Sequence, residues 1–175
     1  MSHLLPFNSK KGITVIEILV VTAVVGIALS SILGVATLAL RQSADTSLEG
    51  RAQALAKETL EALLNYRDGV FWDADDPANE YDGLGVVLLD TSYYPFLSAD
   101  AIPRWQLLEG EEQVENFTRS VSFSSVSRDA SSNIVESGGI VDPDTKKVTA
   151  RVSWSDRGEA REVTLLMYIT NWKQP

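Results

Sequence analysis

Glu17 is the residue with the most unusual setting in this sequence. It is the only charged side chain in an apolar run that extends from Ile13 to Leu40. An ionised carboxylate in an apolar environment costs free energy unless an opposite charge or hydrogen-bond donors accompany it. Ionisable residues in membrane-length segments are therefore candidates for a functional role. A structural role is the alternative, because the helix macrodipole stabilises a carboxylate in the first turn by about 0.3–1 kcal/mol.

A second group of carboxylates follows an aromatic pair in the middle of the chain. Calcium takes oxygen ligands, so such a group is a candidate for a metal site. The spacing fails the calcium-loop pattern because Pro77 stands where the third ligand is required. We therefore predict a solvated acidic loop with no bound metal, and we interpret Asp142 and Asp144 as turn-forming residues. The acidic loop contains Asp73, Asp75, Asp76, Glu80 and Asp82.

The chain lacks most of the side chains and motifs on which enzymes usually rely for catalysis. There is no cysteine, and the single histidine is His3, which lies before Gly12. The sequence also contains no glycine-rich phosphate loop and no G-x-S-x-G motif. We therefore predict that the protein is not an enzyme, with no catalytic residues and no cofactor. Beyond Gly12 the chain has 13 basic and 24 acidic side chains, which argues against direct binding of nucleic acid.

The aromatic residues offer a possible ligand surface. Trp154 falls on the apolar side of an alternating segment, so we predict that it lies in the core. The segment from Tyr93 to Phe96 is the best candidate for an exposed apolar loop. The other aromatic residues considered are Trp72, Trp105 and Trp172.

The run from Ile13 to Leu40 is 28 residues long, and a bilayer needs about 20 apolar residues. Lys10 and Lys11 precede it, which predicts a cytoplasmic N-terminus and an exported C-terminal part. A cleaved secretory signal would have a shorter apolar region. A plain signal anchor fits the length but leaves Glu17 unexplained.

The segment Lys-Gly followed by Ile-Thr-Val-Ile-Glu-Ile-Leu-Val-Val resembles the leader and start of type IV pilins and of the pseudopilins of type II secretion. The resemblance implies cleavage by prepilin peptidase between Gly12 and Ile13, followed by N-methylation of Ile13. It also implies that Glu17 is the family's glutamate, which would pair in the assembled fibre with the positive amine of Ile13 in the same chain or a neighbour.

The same resemblance implies the partners and the location. The partners would be prepilin peptidase, other pilin subunits contacted through their N-terminal helices, and an assembly platform in the inner membrane. The protein would wait in the cytoplasmic membrane as a single-pass protein with its head outside, and would then enter an extracellular fibre of the kind used in adhesion, motility or secretion. A minor pilin is the first hypothesis. A minor pseudopilin of a type II secretion or DNA-uptake fibre is the second, and a signal-anchored binding domain is the third.

The rest of the sequence predicts the secondary structure that follows this N-terminal segment. Apolar residues recur at spacings of three and four from Ala44 to Tyr66, which is typical of an amphipathic helix, and Gly69 suggests a left-handed cap. Period-two alternation in the second half of the chain predicts antiparallel strands. We therefore expect an α+β pilin fold, with one long helix packed on an antiparallel sheet.

The predicted divisions of the chain are a leader at 1–12, a transmembrane and assembly helix at 13–40, an amphipathic continuation at 41–68 and a β-rich head at 69–175. Predicted strands are Val86 to Leu89, Trp105 to Leu108, Phe117 to Arg128, and two strands joined by a hairpin turn at Asp156 to Glu159.

Overall fold

The computed structural model describes residues 14–172. A single long helix, α1 (Val15–Gly69), is followed by seven strands. The chain forms two compact units, Met1–Thr46 and Ser47–Pro175. Within the described part of the first unit the only regular element is the N-terminal portion of α1. The second unit contains the rest of α1, from Ser47 to Gly69, and the whole sheet.

The seven strands form one antiparallel sheet, in which the order along the main path is β2-β1-β4-β6-β7. The short strands β3 and β5 both pair with β4. The protein therefore has the α+β layout predicted from the sequence, a long N-terminal helix packed on an antiparallel sheet. The strands are β1 (Ser92–Leu97), β2 (Trp105–Glu109), β3 (Glu112–Val114), β4 (Phe117–Arg128), β5 (Ile134–Val135), β6 (Ile140–Asp156) and β7 (Glu159–Thr170).

The hairpin between β6 and β7 has the tight turn that the sequence predicts. Asp156 pairs with Glu159, and only Arg157 and Gly158 lie between them. Both turn residues have positive φ, at 52° and 87°, as a two-residue turn of this type requires. Since this turn matches the natural twist of the strands, β6 and β7 pair without interruption as far as Thr145 and Thr170.

The core lies between one face of the sheet and the Ser47–Gly69 part of α1. The alternation predicted for β6 is confirmed, because Val148, Ala150, Val152 and Trp154 are all buried. Small helix residues allow close packing, since Ala52 and Ala56 are fully buried against Phe117, Val152 and Trp154. The larger cluster contains Leu63, Tyr66, Trp72, Leu84, Val87, Tyr93, Leu107, Val121, Phe123, Val148 and Ile169.

Two local predictions between the helix and β2 are wrong. Residues 86–89 form turns and not a strand. The segment predicted to be an exposed apolar loop is strand β1, and its Tyr93 and Pro95 are buried. Pro95 is tolerated there because β1 pairs with β4 only at Ser92 and Tyr93, so no partner on that side needs a donor from position 95.

Three further predictions need correction. Gly69 is not a left-handed cap: the N–H of Val70 still donates to the carbonyl of Tyr66 at 3.1 Å, so helical bonding continues past it. Ala44 is exposed, and the packed face of the helix begins near Leu48. Residues 142–144 do not form a turn but lie within β6, where the pairing with β4 shifts register and the strand bulges.

The helix-facing side of the sheet should carry most of the head's stability. Phe123 is fully buried, whereas Phe71 is 84% exposed. We expect Phe123→Ala to lower the free energy of unfolding by about 3–5 kcal/mol, because it removes a ring and leaves a cavity. The matched change Phe71→Ala should cost under about 0.5 kcal/mol. Urea unfolding of the full chain in detergent micelles, followed by tryptophan fluorescence, measures both; equal losses would contradict this description of the core.

Candidate functional site

The first turn of α1 holds Glu17 in a capping arrangement. The backbone N–H of Glu17 donates to the carbonyl of Thr14 at 3.0 Å and lies 3.4 Å from its hydroxyl oxygen. Thr14 precedes the helix and Glu17 is its third residue, which is the spacing of a capping box. The spacing Thr-x-x-Glu was visible in the sequence and was overlooked. The observed bonds are made by the backbone N–H of Glu17, so they place this residue at the helix N-terminus and leave the role of its carboxylate open to assembly.

The helix from Val15 to Leu40 has nothing in the described chain to pack against. Its large apolar side chains are between 49% and 77% exposed. Its most apolar 18-residue window has a mean hydropathy of 2.6, so by length and composition it can cross a membrane. Gly26 and Gly34 lie inside this continuous helix.

The polar side chains of this segment are satisfied within the helix. The hydroxyls of Thr22 and Ser30 donate to the carbonyls of Ile18 and Gly26 at 3.0 and 2.9 Å. Ser31 and Thr37 make the same kind of bond one turn back. Such bonds let hydroxyl groups enter an apolar environment at little cost. Glu17 is thus the one ionisable side chain between Thr14 and Leu40.

Gly12 and Ile13, predicted as the cleavage and methylation positions, lie outside the described residues. The structure therefore describes only Glu17 among the three predicted site residues, and it places that residue on an exposed first turn.

In the head, a buried arginine joins the helix to the sheet. Arg119 donates to Glu58 of α1 at 2.9 Å and to Glu112 of β3 at 2.6 Å, and its side chain is only 9% exposed. Burial acts to lower the pKa of Arg119, but the hydrogen bonds that Arg119 donates to Glu112 and Glu58 outweigh it and raise that pKa. Arg119 has the same parity on β4 as Phe117 and Val121, so the pattern itself placed it on the inner face.

The end of the helix is fastened to the acidic loop through Tyr66. Its hydroxyl donates to the carbonyl of Asp82 at 2.6 Å. Burial, followed by the nearby carboxyls of Asp82 and Asp76, raises the pKa of the Tyr66 phenol. The phenol consequently stays protonated and keeps its role as donor over the physiological range.

The carboxylates of the acidic loop are used to brace the loop itself. Asp82 accepts the N–H of Asp76 at 2.7 Å, and Asp76 accepts the N–H of Glu80 at 3.2 Å. Glu80 in turn accepts a bond from the amide of Gln106 at 2.8 Å. Between residues 14 and 172, no group of three or more histidine or acidic side chains is arranged to hold a metal ion.

The bulge in β6 has its own polar network. Arg128 on β4 donates to Asp142 at 2.6 Å, and the hydroxyl of Thr145 donates to the same carboxylate at 2.7 Å. These bonds hold the pKa of Asp142 below its usual range, with the bond from Arg128 the largest cause. A sequence pattern could not have revealed this network, because it depends on which strand lies opposite the bulge.

The aromatic residues do not form one surface. Trp72, Tyr93 and Trp154 are buried in the core. Trp172 is exposed, and the guanidinium of Arg67 lies 5.9 Å from its ring centroid. Phe71, Trp72 and Trp172 border an apolar cavity of about 330 Å³ beside the end of the helix.

Comparisons of the chain with protein-family models, with curated proteins and with solved structures find no match. The functional assignment consequently depends on the residues and the fold alone.

Removing the buried ion pairs of Arg119 should cost more free energy of unfolding than removing an exposed ion pair. We expect Arg119→Met to lower the free energy of unfolding by about 1–3 kcal/mol, because Glu112 and Glu58 lose a donor that water only partly replaces. The matched control is Arg151→Met, which removes the exposed pair with Glu162 and should cost under about 1 kcal/mol. Urea unfolding compares the two; a larger loss for Arg151→Met would refute the joining role of Arg119.

The Asp142 network predicts a dependence of stability on pH. The pKa of Asp142 is lowered in the folded state, so its stabilisation is present above the unfolded pKa of about 3.9 and is lost as pH falls through the folded value. Asp142→Asn should be less stable than the unchanged chain by about 1 kcal/mol at pH 7. The gap should narrow in unfolding curves measured against pH once the pH falls below the unfolded pKa, and it should close when the folded carboxyl is also protonated. Asp100→Asn, at an exposed position, should show no such gap; a constant gap for Asp142→Asn would rule out the linkage.

Proposed function

We propose that this chain is a minor pilin, a structural subunit of a type IV pilus. Prepilin peptidase cuts it between Gly12 and Ile13 and methylates the new amine of Ile13. The subunit then waits in the cytoplasmic membrane until an inner-membrane assembly platform moves it into the fibre.

One observation carries the proposal. An apolar helical segment that packs against nothing else in the described part of the chain has a single carboxylate, Glu17, in its first turn. It lies directly after the motif that resembles a prepilin leader. A segment of this kind needs apolar surroundings supplied from outside, first lipid and then the helices of other subunits. The α+β layout of the head on the same helix supports the proposal at the level of fold.

The charge of Glu17 gives assembly its specificity in this scheme. After cleavage the amine of Ile13 lies four residues from Glu17 at the same end of the helix. When helices pack in a fibre, both charges leave water, and each then requires an opposite charge nearby. The same carboxylate can pair with the amine of its own chain or with that of a neighbour.

Capping and charge pairing at Glu17 can be separated by substitution. Glutamine serves as well as glutamate at the third position of a capping box but has no charge. We expect both Glu17→Gln and Glu17→Val to be processed at Gly12. The amount of each variant in the fibre fraction should fall at least about tenfold, because the loss of one charge contact worth about 1.4 kcal/mol changes the assembly equilibrium by a factor of ten. Gly12→Val should instead remain an uncut precursor, because the protease requires an unhindered backbone. Immunoblots of membrane and sheared-fibre fractions measure both steps.

The outcomes distinguish the candidates. Normal assembly of Glu17→Gln with loss of Glu17→Val assigns Glu17 to capping and removes the charge-pairing part of the proposal. Normal assembly of both variants contradicts any assembly role for Glu17. A chain that is never cut is a signal-anchored binding domain. Recovery in a secretion or DNA-uptake fibre, and not in a pilus, makes the chain a minor pseudopilin.

A further inference from the structure

The last strand of the sheet leaves one of its edges open. β7 is 12 residues long and lies at the end of the strand order. Its pairing with β6 is regular over its whole length, with no bulge, and β7 contains neither proline nor lysine. Charged residues, proline, bulges and covering loops are the usual means by which proteins protect such an edge. Along most of β7 these are missing.

The opposite edge of the same sheet is covered. The N–H of Leu107 in β2 donates to the carbonyl of Glu80 at 3.2 Å, and the side chain of Gln106 bonds to Glu80 and Tyr81. The acidic loop therefore occupies the β2 edge. The contrast shows that the fold protects one edge and leaves the other available.

The hairpin turn decides which groups of β7 point outward. In a two-residue hairpin the flanking residues, here Asp156 and Glu159, exchange backbone hydrogen bonds with each other. Every second residue of β7 after Glu159 bonds to β6 in the same way, and the residues between them direct their N–H and C=O groups away from β6. No other strand within residues 14–172 pairs with this edge. The outward residues are Ala160, Glu162, Thr164, Leu166, Tyr168 and Thr170.

Beyond Glu162, large apolar side chains of β7 lie on both faces of the sheet. Leu166 and Tyr168 are 59% and 48% exposed on the outer face. Val163, Leu165 and Met167, on the helix side, are only partly covered. Charges occur only near the hairpin, where Arg161 lies 3.9 Å from Asp156 and Glu162 pairs with Arg151.

We propose that β7 is a docking edge to which an extended segment of a different polypeptide adds as a further strand. The backbone groups of the outward residues supply the hydrogen bonds, and apolar side chains on both faces of the incoming segment cover Leu165, Leu166 and Tyr168. The apolar part of that segment fits the end of β7 away from the hairpin, because the hairpin end carries both signs of charge, with Glu159 and Glu162 beside Arg157 and Arg161.

A second copy of this chain does not fit the edge. Antiparallel pairing of two β7 strands would relate the copies by a two-fold axis perpendicular to the sheet. The Ser47 ends of the two helical segments would then point in opposite directions, which disfavours two copies anchored in one membrane. This step rests on the proposed function. Pairing with the β2 edge of a neighbour is blocked by the loop at Glu80.

Hydrogen exchange and cross-linking test the proposal on the full chain. In nanodiscs the outward amides, such as that of Thr164, should exchange rapidly, and in isolated fibres they should slow by at least about 100-fold. Because the chain has no cysteine, Leu166→Cys provides a single thiol for a benzophenone-maleimide probe. That probe should cross-link in fibres to a chain other than this one, at a defined segment identified by mass spectrometry. Ile102→Cys, 78% exposed outside the sheet, is the matched control and should not reach that segment.

Thr164→Pro provides the functional variant. Its N–H points outward, so proline removes one docking donor without breaking the β6–β7 ladder. We expect normal cleavage at Gly12, normal resistance to protease, and loss of the Leu166→Cys cross-link in the double variant. Leu165→Pro, whose N–H serves β6, should instead unfold the head.

These experiments distinguish failure of the docking edge from failure of the proposed function. If the chain is cut at Gly12 and enters fibres but the Thr164 amide still exchanges rapidly, the docking edge is refuted and the proposed function stands. Cross-links only between differently tagged copies of this chain also refute it. If the chain is never cut or never enters fibres, the proposed function fails first.

Discussion

The structure depends on one constraint: between residues 14 and 172, the apolar half of α1 finds no surface to bury against. Every large side chain from Val15 to Leu40 is exposed, although the hydroxyls among them are satisfied internally. A helix in that condition is stable only in lipid or among other apolar helices. In the proposed assembly, bringing Glu17 into such surroundings costs free energy that an opposite charge or hydrogen-bond donors offset, and this requirement makes the choice of partners selective.

The C-terminal part of the same helix is buried against the sheet of the head. From Ser47 onward, α1 covers one face of the sheet with small residues at its closest approach and with Tyr66 at its end. Arg119 adds an ionic contact between helix and sheet, and Asp142 fixes the bulge in β6. These polar contacts tie the helix and the bulge to the sheet at defined positions. The head thereby presents a fixed surface, with one sheet edge covered and the other open.

Sequence patterns predicted the layout because the alternation in β4, β6 and β7 and the spacing in the helix each report burial directly. They failed where a local rule was outweighed by a distant contact. Pro95 argues against a strand, yet β1 accepts it where β1 has parted from β4. Asp142 and Pro143 resemble a turn, but Arg128 across the sheet holds them in a bulge. Two features were readable and were overlooked: the Thr14–Glu17 capping spacing and the inward parity of Arg119. The sequence does not decide whether the proposed partner of Glu17, the amine of Ile13, belongs to the same chain or to a neighbour.

In the proposed function, the chain becomes competent for assembly when cleavage exposes a new amine at Ile13, four residues before Glu17. Mass spectrometry of the N-terminal peptide of the mature protein, isolated from its native membrane, tests this most directly. The account predicts a chain that begins at Ile13 and carries one methyl group on its amine. A mature chain that retains Lys10 and Lys11, or one that begins beyond Glu17, would contradict it.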